Sequence, residues 1–299
     1  MHIRKPLRFS ALAIAAAVVA ACSAPAPTLQ KTEMLPADGG EVGKAFAELQ
    51  SALGAGDDAH ASKLLDPKWR VNGDGSGYFA VIKTLKPTGG KRQGDRATLF
   101  VQDEHYAEFN ATHGPSGWYF DLPMPLFLTT DEKTDCIAKP QQFPCGASSA
   151  PDSQVSGYVT ETQVNHLTNE TTLVKEPLFD GFATRVVSNG SKKPTATRLI
   201  LSATAVNPEV LALNTNPSSV ASALNYVLTL DIAPDGKSAH GKYNGFSGRR
   251  EFDVKDGAGL TLDTTQPKRL HGRVTADVKD AGKLDAMFDV GIASQYEGQ

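Results

Sequence analysis

The most regular hydrophobic pattern in the chain lies between Glu41 and Leu53. Val42, Ala45, Phe46, Leu49, Ala52 and Leu53 recur there at three- and four-residue steps. That is the helical period, and it predicts an amphipathic helix. Gly54-Ala55-Gly56 ends it, and Asp57 or Asp58 can cap a second helix that runs to about Leu65, before Pro67. The pattern then turns strand-like. Ala97–Gln102 (ATLFVQ) and His105–Thr112 (HYAEFNAT) read as paired strands, and the Gly114–Gly117 turn leads to Trp118–Leu122. Beyond residue 156, apolar and polar positions alternate in Gly157–Leu167, Thr171–Val174, Gly181–Val187, Thr197–Ala205 and Asn225–Ile232. His240–Phe246, Arg250–Val254, Gly259–Asp263, Leu270–Val278 and Ala286–Ala293 continue the series. Pro234-Asp235-Gly236 and other Asp-Gly and Ala-Gly steps punctuate it as turns. Strands spaced by roughly 8 to 15 residues suggest an antiparallel sandwich or a partly closed barrel.

The fold class expected is therefore α+β and β-rich: a small helix-plus-sheet N-terminal domain followed by an antiparallel β sandwich or partly closed barrel. The first domain is expected over residues 41–128 and the second over 154–299. The segment between them, 129–153, holds Cys136 and Cys145 among many Pro, Ser and Gly residues. It reads as a connector.

The N-terminus has a different character. Arg4, Lys5 and Arg8 precede an apolar block from Phe9 to Ala21 that is interrupted only by Ser10. A basic region, a short apolar region and small residues at a cut site are the order of a secretory signal. The block is too short to span a bilayer as a helix, which takes about 20 apolar residues. Val19-Ala20-Ala21-Cys22 resembles the lipobox of bacterial lipoproteins. The resemblance covers the first 22 residues. It implies a signal peptide over 1–21, removed before Cys22, and acyl chains (palmitate among them) on that cysteine. Several acyl chains hold a protein stably where one does so marginally. Ser23, in place of an aspartate, implies the outer membrane in that family, with the body in the periplasm. Residues 22–40, rich in Ala, Pro, Thr and Gly, read as a flexible tether.

Composition narrows the picture further. Lys plus Arg number 30 and Asp plus Glu 33. Without the three basic residues of the signal the chain carries 27 against 33, a net charge of −6. Nothing in that balance invites nucleic acid. The short basic runs Lys91-Arg92 and Lys192-Lys193 sit beside Gly or Pro and read as solvated turns. With Cys22 lipidated, Cys136 and Cys145 remain, an even number suited to an oxidising compartment. A disulfide between them would close a short loop and contribute roughly 2–3 kcal/mol.

Residues 41–125 are similar to the NTF2-like α+β domains, through Gly56-Asp57 between the two helices and Gly117-Trp118 at the closing strand. The cavity of that family often binds a small ligand. Here the resemblance, with the aromatic cluster itself, points to Tyr106, Phe109, Trp118 and Tyr119 as candidate ligand-lining residues. No catalytic pair carries over. Gly245-Phe246-Ser247-Gly248 misses the G-x-S-x-G spacing and reads as a β-turn. Asn72–Gly77 lacks the twelfth-position glutamate of a calcium loop. The best metal or acid–base grouping is His105 and His113 approaching across a hairpin, near Asp103, Glu104 and Glu108. A solvated strand face explains those residues more simply. The expectation is a lipid-anchored, non-catalytic binding or assembly module with a protein partner and no metal or cofactor. An inhibitor or immunity lipoprotein is a special case. The alternative is a carrier of a small apolar ligand.

Overall fold

The computed structural model describes residues 27–66, 80, 82–103, 105–121, 128–129, 153–164, 170–187, 193–207, 227–245, 248–278 and 282–298. Cys22, Cys136, Cys145 and the Asn72–Gly77 stretch lie outside these residues.

The N-terminal domain places two helices on one face of a sheet. Helix α1 (Gly40–Ala55) buries Val42, Phe46, Leu49, Ala52 and Leu53, the stripe expected from its period. Gly39 opens it at φ +75°, where a Cβ would come within 2.4 Å of Leu99 Cδ1. Only glycine takes that conformation in that space at no steric cost. Gly56, also left-handed, closes the helix while the Asp57 N–H donates to the Ala52 carbonyl. Asp57 then caps helix α2 (Asp58–Leu64), its carboxylate accepting from the His60 N–H.

The sheet follows chain order through β1 (Glu33–Leu35), β2 (Lys86–Gln93), β3 (Arg96–Gln102), β4 (His105–Gly114) and β5 (Gly117–Asp121), all antiparallel. The short β6 (Leu128–Thr129) pairs with the start of β4. Two of these strands correct the sequence reading. Glu33–Leu35 falls in the expected tether, yet it pairs with Gly90–Arg92. Three residues are too few to show a period, and the backbone of β2 supplies the partner groups. Lys91 and Arg92, expected in a solvated turn, lie within β2 itself.

Ala97, Leu99 and Val101 of β3 face the helices with Ala107, Phe109 and Ala111 of β4 and Trp118 and Phe120 of β5. Phe46 fills the centre, with ring centroids 5.2 Å from Phe109 and 5.6 Å from Phe120.

The second domain is a barrel, which settles what alternation alone left open. Strand β7 (Gln154–Val164) carries the outermost strand, β8 (Thr171–Pro177), on one edge. The barrel runs through β9 (Asp180–Val187), β10 (Pro194–Ser202), β11 (Val227–Ile232), β12 (Ser238–Gly245), β13 (Gly248–Asp256), β14 (Gly259–Asp263), β15 (Arg269–Val278) and β16 (Gly282–Gly298). The long β16 makes closure possible. Its first half pairs with β15 on one edge and with β7 on the other. Its second half runs parallel to β9 and completes the ring.

Inward positions are apolar: Leu199, Leu228, Leu230, Tyr243, Val274 and Phe288 belong to one continuous core. The Phe252 ring lies against Gly241, where an added Cβ would meet it at 2.2 Å. Outward positions carry ion pairs, among them Arg198–Asp231, Arg269–Asp289 and Arg273–Asp285. An apolar inside and a charged outside is the reverse of a membrane-spanning barrel, whose outer band is apolar.

Candidate functional site: the polar seam between the domains

The face of the N-terminal sheet away from the helices meets the barrel domain. β3 explains why. Its run ATLFV is buried on both faces, Ala97, Leu99 and Val101 on one and Thr98 and Phe100 on the other. Phe100 points to the second face and packs with Phe179 and Ala205. The Arg96 guanidinium lies 5.3 Å from the Phe179 ring centroid and donates to the carbonyls of Pro177 (3.3 Å) and Ala203 (3.0 Å). Burial lowers the affinity of Arg96 for its proton, and the nearby Glu176 and Asp95 work the other way.

Around this apolar patch the seam is polar. Lys91 Nζ lies 2.5 Å from Asp180 Oδ2, and the two side chains are 3% and 0% exposed. The Ser153 hydroxyl donates to Asp180 Oδ1, as does the Gly181 N–H at 2.8 Å. The Val206 N–H donates to Oδ2 at 2.8 Å. Asp180 thus receives four donors, which compensate its loss of water. Farther along the seam, Gln93 donates to the Val155 carbonyl at 2.8 Å. The Ala205 N–H donates to Thr98 Oγ1, Thr98 donates to Asn110 Oδ1, and Asn110 donates to Thr204 Oγ1.

Glu108 projects from β4 into the same seam. Loss of water pushes its carboxyl up to about 8. The backbone N–H of Asn207 favours the ionised form, Asp180 opposes it and Lys91 favours it. Glu108 lies opposite Phe100 in register on the seam face of β4 and is half-buried. Perturbed groups often mark catalytic sites, although structural ion networks perturb them too. Here Lys91, Asp180 and Ser153 are all buried, so a substrate has no room beside them.

A cleft of about 180 Å³ opens at the rim of the seam, lined by Asp66, Arg96, Asn110, Tyr119, Asp121 and Glu176 among others. A wider depression of about 440 Å³ lies on the barrel wall, lined in part by Tyr158, Phe252, Asp253, Lys283 and Asp285.

The aromatic residues expected to share a lining do not share one cavity. Phe109 and Trp118 face the helices as core, and Tyr119 lines the cleft on the other face. Tyr106 pairs in register with Gln102 and Leu128, and its side chain lies outside the described residues. His105 and His113 do not approach across a hairpin. Both lie on β4, eight positions apart, about 26 Å along an extended strand. His113 instead packs edge-on against Trp118 at 5.1 Å. Gly245 and Gly248 pair across the β12–β13 turn, between strands as their spacing predicts. Among the described residues, no group of three or more His, Cys, Asp or Glu is disposed to hold a metal ion.

Sequence reasoning missed Asp180, Ser153 and Arg96, took Lys91 for a solvated turn, and named Glu108 only as a neighbour of His105 and His113. One signal was present: Leu99, Phe100 and Val101 of β3 are consecutive large apolar residues, which puts Phe100 on the face opposite its neighbours and asks for cover there too. Comparison of the chain with protein-family models, with curated proteins and with solved structures finds no match.

Proposed function

We propose that this chain is a non-catalytic binding module of the bacterial cell envelope that captures a protein partner. In this reading acyl chains on Cys22 hold it to the outer membrane, and the body stands in the periplasm on the 22–32 segment. A Cys136–Cys145 disulfide pins the connector. Among the described residues no helix is long and apolar enough to cross a membrane. Anchoring by lipid does not need one.

The observation that carries the partner reading is the outer edge of β8. Among the described residues this strand pairs with β7 alone. Thr171, Thr172 and Leu173 are exposed, Leu173 by 66%. An edge strand presents backbone N–H and C=O groups that an extended segment of another protein can pair with. Leu173 offers that segment an apolar anchor. The carrier alternative draws less support. Phe46, Phe109 and Phe120 fill the space between helices and sheet, and Leu199, Tyr243 and Phe288 belong to the core of the barrel.

The test is a photo-crosslinking residue at Leu173 of the lipidated protein in intact cells. One protein adduct in stoichiometric yield is expected, with none from the same residue at Thr261 on the outer wall. A Cys22→Ser form should leave the membrane fraction. Equal adducts at both positions, or no protein adduct together with a small molecule extracted from the purified protein, would overturn the partner reading.

A further inference from the structure

The ring of strands closes by its shortest pairing where β13 meets β14. The two run parallel over two positions, Lys255 with Gly259 and Asp256 with Leu260. β14 pairs with β15 from Leu260–Val274 to Asp263–His271. Its line ends at Gly259, which sits at φ +93° where an added Cβ would strike the Thr275 carbonyl oxygen. Glycine alone takes that conformation freely. The chain turns there, with the Ala258 N–H donating to the Lys255 carbonyl. Beyond the turn no strand separates β13 from β15. Among the described residues, Arg249–Val254 pair with β12 alone and Ala276–Val278 with β16 alone.

The depression of about 440 Å³ opens at this break. Its lining mixes the two faces of the wall. Asp253 and Asp277 point outward, whereas Phe252, Ala276 and Leu284 point inward. Phe252 and Ala276 pack against the barrel core yet are only half-buried. Val254, Val274 and Val278 on the same strands are sealed. The break therefore exposes inward-facing apolar surface together with two open strand edges.

We propose that this breach binds an extended peptide segment of another protein, one that alternates apolar and basic residues. Backbone pairing with the open edges of β13 and β15 holds the segment in line with β14. A purely apolar molecule would cover Phe252 but leave the backbone N–H and C=O groups of both edges covered and unpaired. Successive side chains of a strand point to opposite faces. Those turned inward meet Phe252, Ala276 and Leu284. Those turned outward sit between Asp253 and Asp277, exposed carboxylates on either side of the break. That position favours a lysine or arginine. His240 and Lys283 flank the two carboxylates from β12 and β16, away from the break. The site goes beyond the β8 edge and does not depend on it. Neither β8 nor Thr261 contributes to its lining.

Fluorescence anisotropy of a labelled Lys-Val-Lys-Val-Lys peptide, titrated with the full-length protein, tests the site. Saturable binding is expected. A Glu-Val-Glu-Val-Glu peptide should bind about tenfold or more weakly. The basic peptide methylated on its valine amide nitrogens, which removes the donors that pair with an edge, should lose about tenfold or more as well. Asp277→Lys, an exposed change, should weaken the basic peptide about fivefold and favour the acidic one. Leu173→Asp on β8 should alter neither. The amide resonances of Asp253 and Asp277 should shift during the titration, and those of Thr172 and Leu173 should not. No saturable binding of the basic peptide would overturn the proposal. Equal affinity of the acidic or the methylated peptide would do so too, as would binding lost in L173D and kept in D277K.

Discussion

The two faces of the N-terminal sheet are both buried, but by different chemistry. One face holds Leu99, Phe109 and Phe120 under Phe46 and Leu49. The other holds Lys91, Gln93, Thr98 and Glu108 against Asp180, Ser153 and the 203–207 backbone. Apolar packing is non-directional and tolerates adjustment. A buried polar seam works only when each donor meets its acceptor. The helix face should therefore set the stability of the N-terminal domain, while the seam sets whether the barrel docks at one fixed angle.

The sharpest break in that comparison is Phe46→Ala. Phe46 is fully buried between two aromatic rings. Its truncation should cost about 3–5 kcal/mol, read from the shift in urea unfolding of the N-terminal domain. The barrel, whose core is separate, should unfold at its native midpoint. A barrel destabilised by the same amount would mean that the domains fold as one unit.

How much of this could be read from the sequence also divides by face. Helix α1 announces itself because its apolar residues, Val42 to Leu53, form one periodic stripe of about three turns followed by glycine. Most barrel strands do so because Leu228, Leu230 and Ile232 alternate with Thr229 and Asp231, and their partners alternate likewise. The seam does not, because its signals are nonlocal. Lys91 and Asp180 are 89 positions apart, and no local pattern joins them. β2 reads KPTGGKRQ, with a proline, two glycines and three cations, all of which argue for a turn. Its strand conformation comes from pairing with β1 and β3, and its burial from the barrel. Closure of that barrel was equally nonlocal, since it depends on β16 changing partners halfway along its length.

Lys91→Met tests the seam in its turn. It leaves Asp180 buried without its counter-charge. Removal of one member of a buried pair costs about 3–5 kcal/mol, and the Ser153, Gly181 and Val206 donors place this case near the lower end, at about 3. The loss should appear as faster exchange of the Gly181 and Val206 amides, with α1 unaffected. Equal loss of protection on both sides of the sheet would erase the distinction between a stabilising face and a docking face.

The smallest effect belongs to the same ion-pair chemistry in a wetter place. Arg198 and Asp231 form a two-pronged pair on the barrel wall, Nε to Oδ1 at 2.5 Å and Nη2 to Oδ2 at 2.9 Å. Their side chains are 16% and 22% exposed, against 3% and 0% for Lys91 and Asp180. Water reaches both wall groups, so less desolvation is incurred on forming the pair and less is left uncompensated on breaking it. A double-mutant cycle of Arg198→Ala and Asp231→Ala should give a coupling of about 0.5–1 kcal/mol, reduced by added salt. The Lys91–Asp180 cycle should exceed it severalfold and respond little to salt. Equal couplings would mean that the seam is hydrated, and that its buried pair is no drier than the pair on the wall.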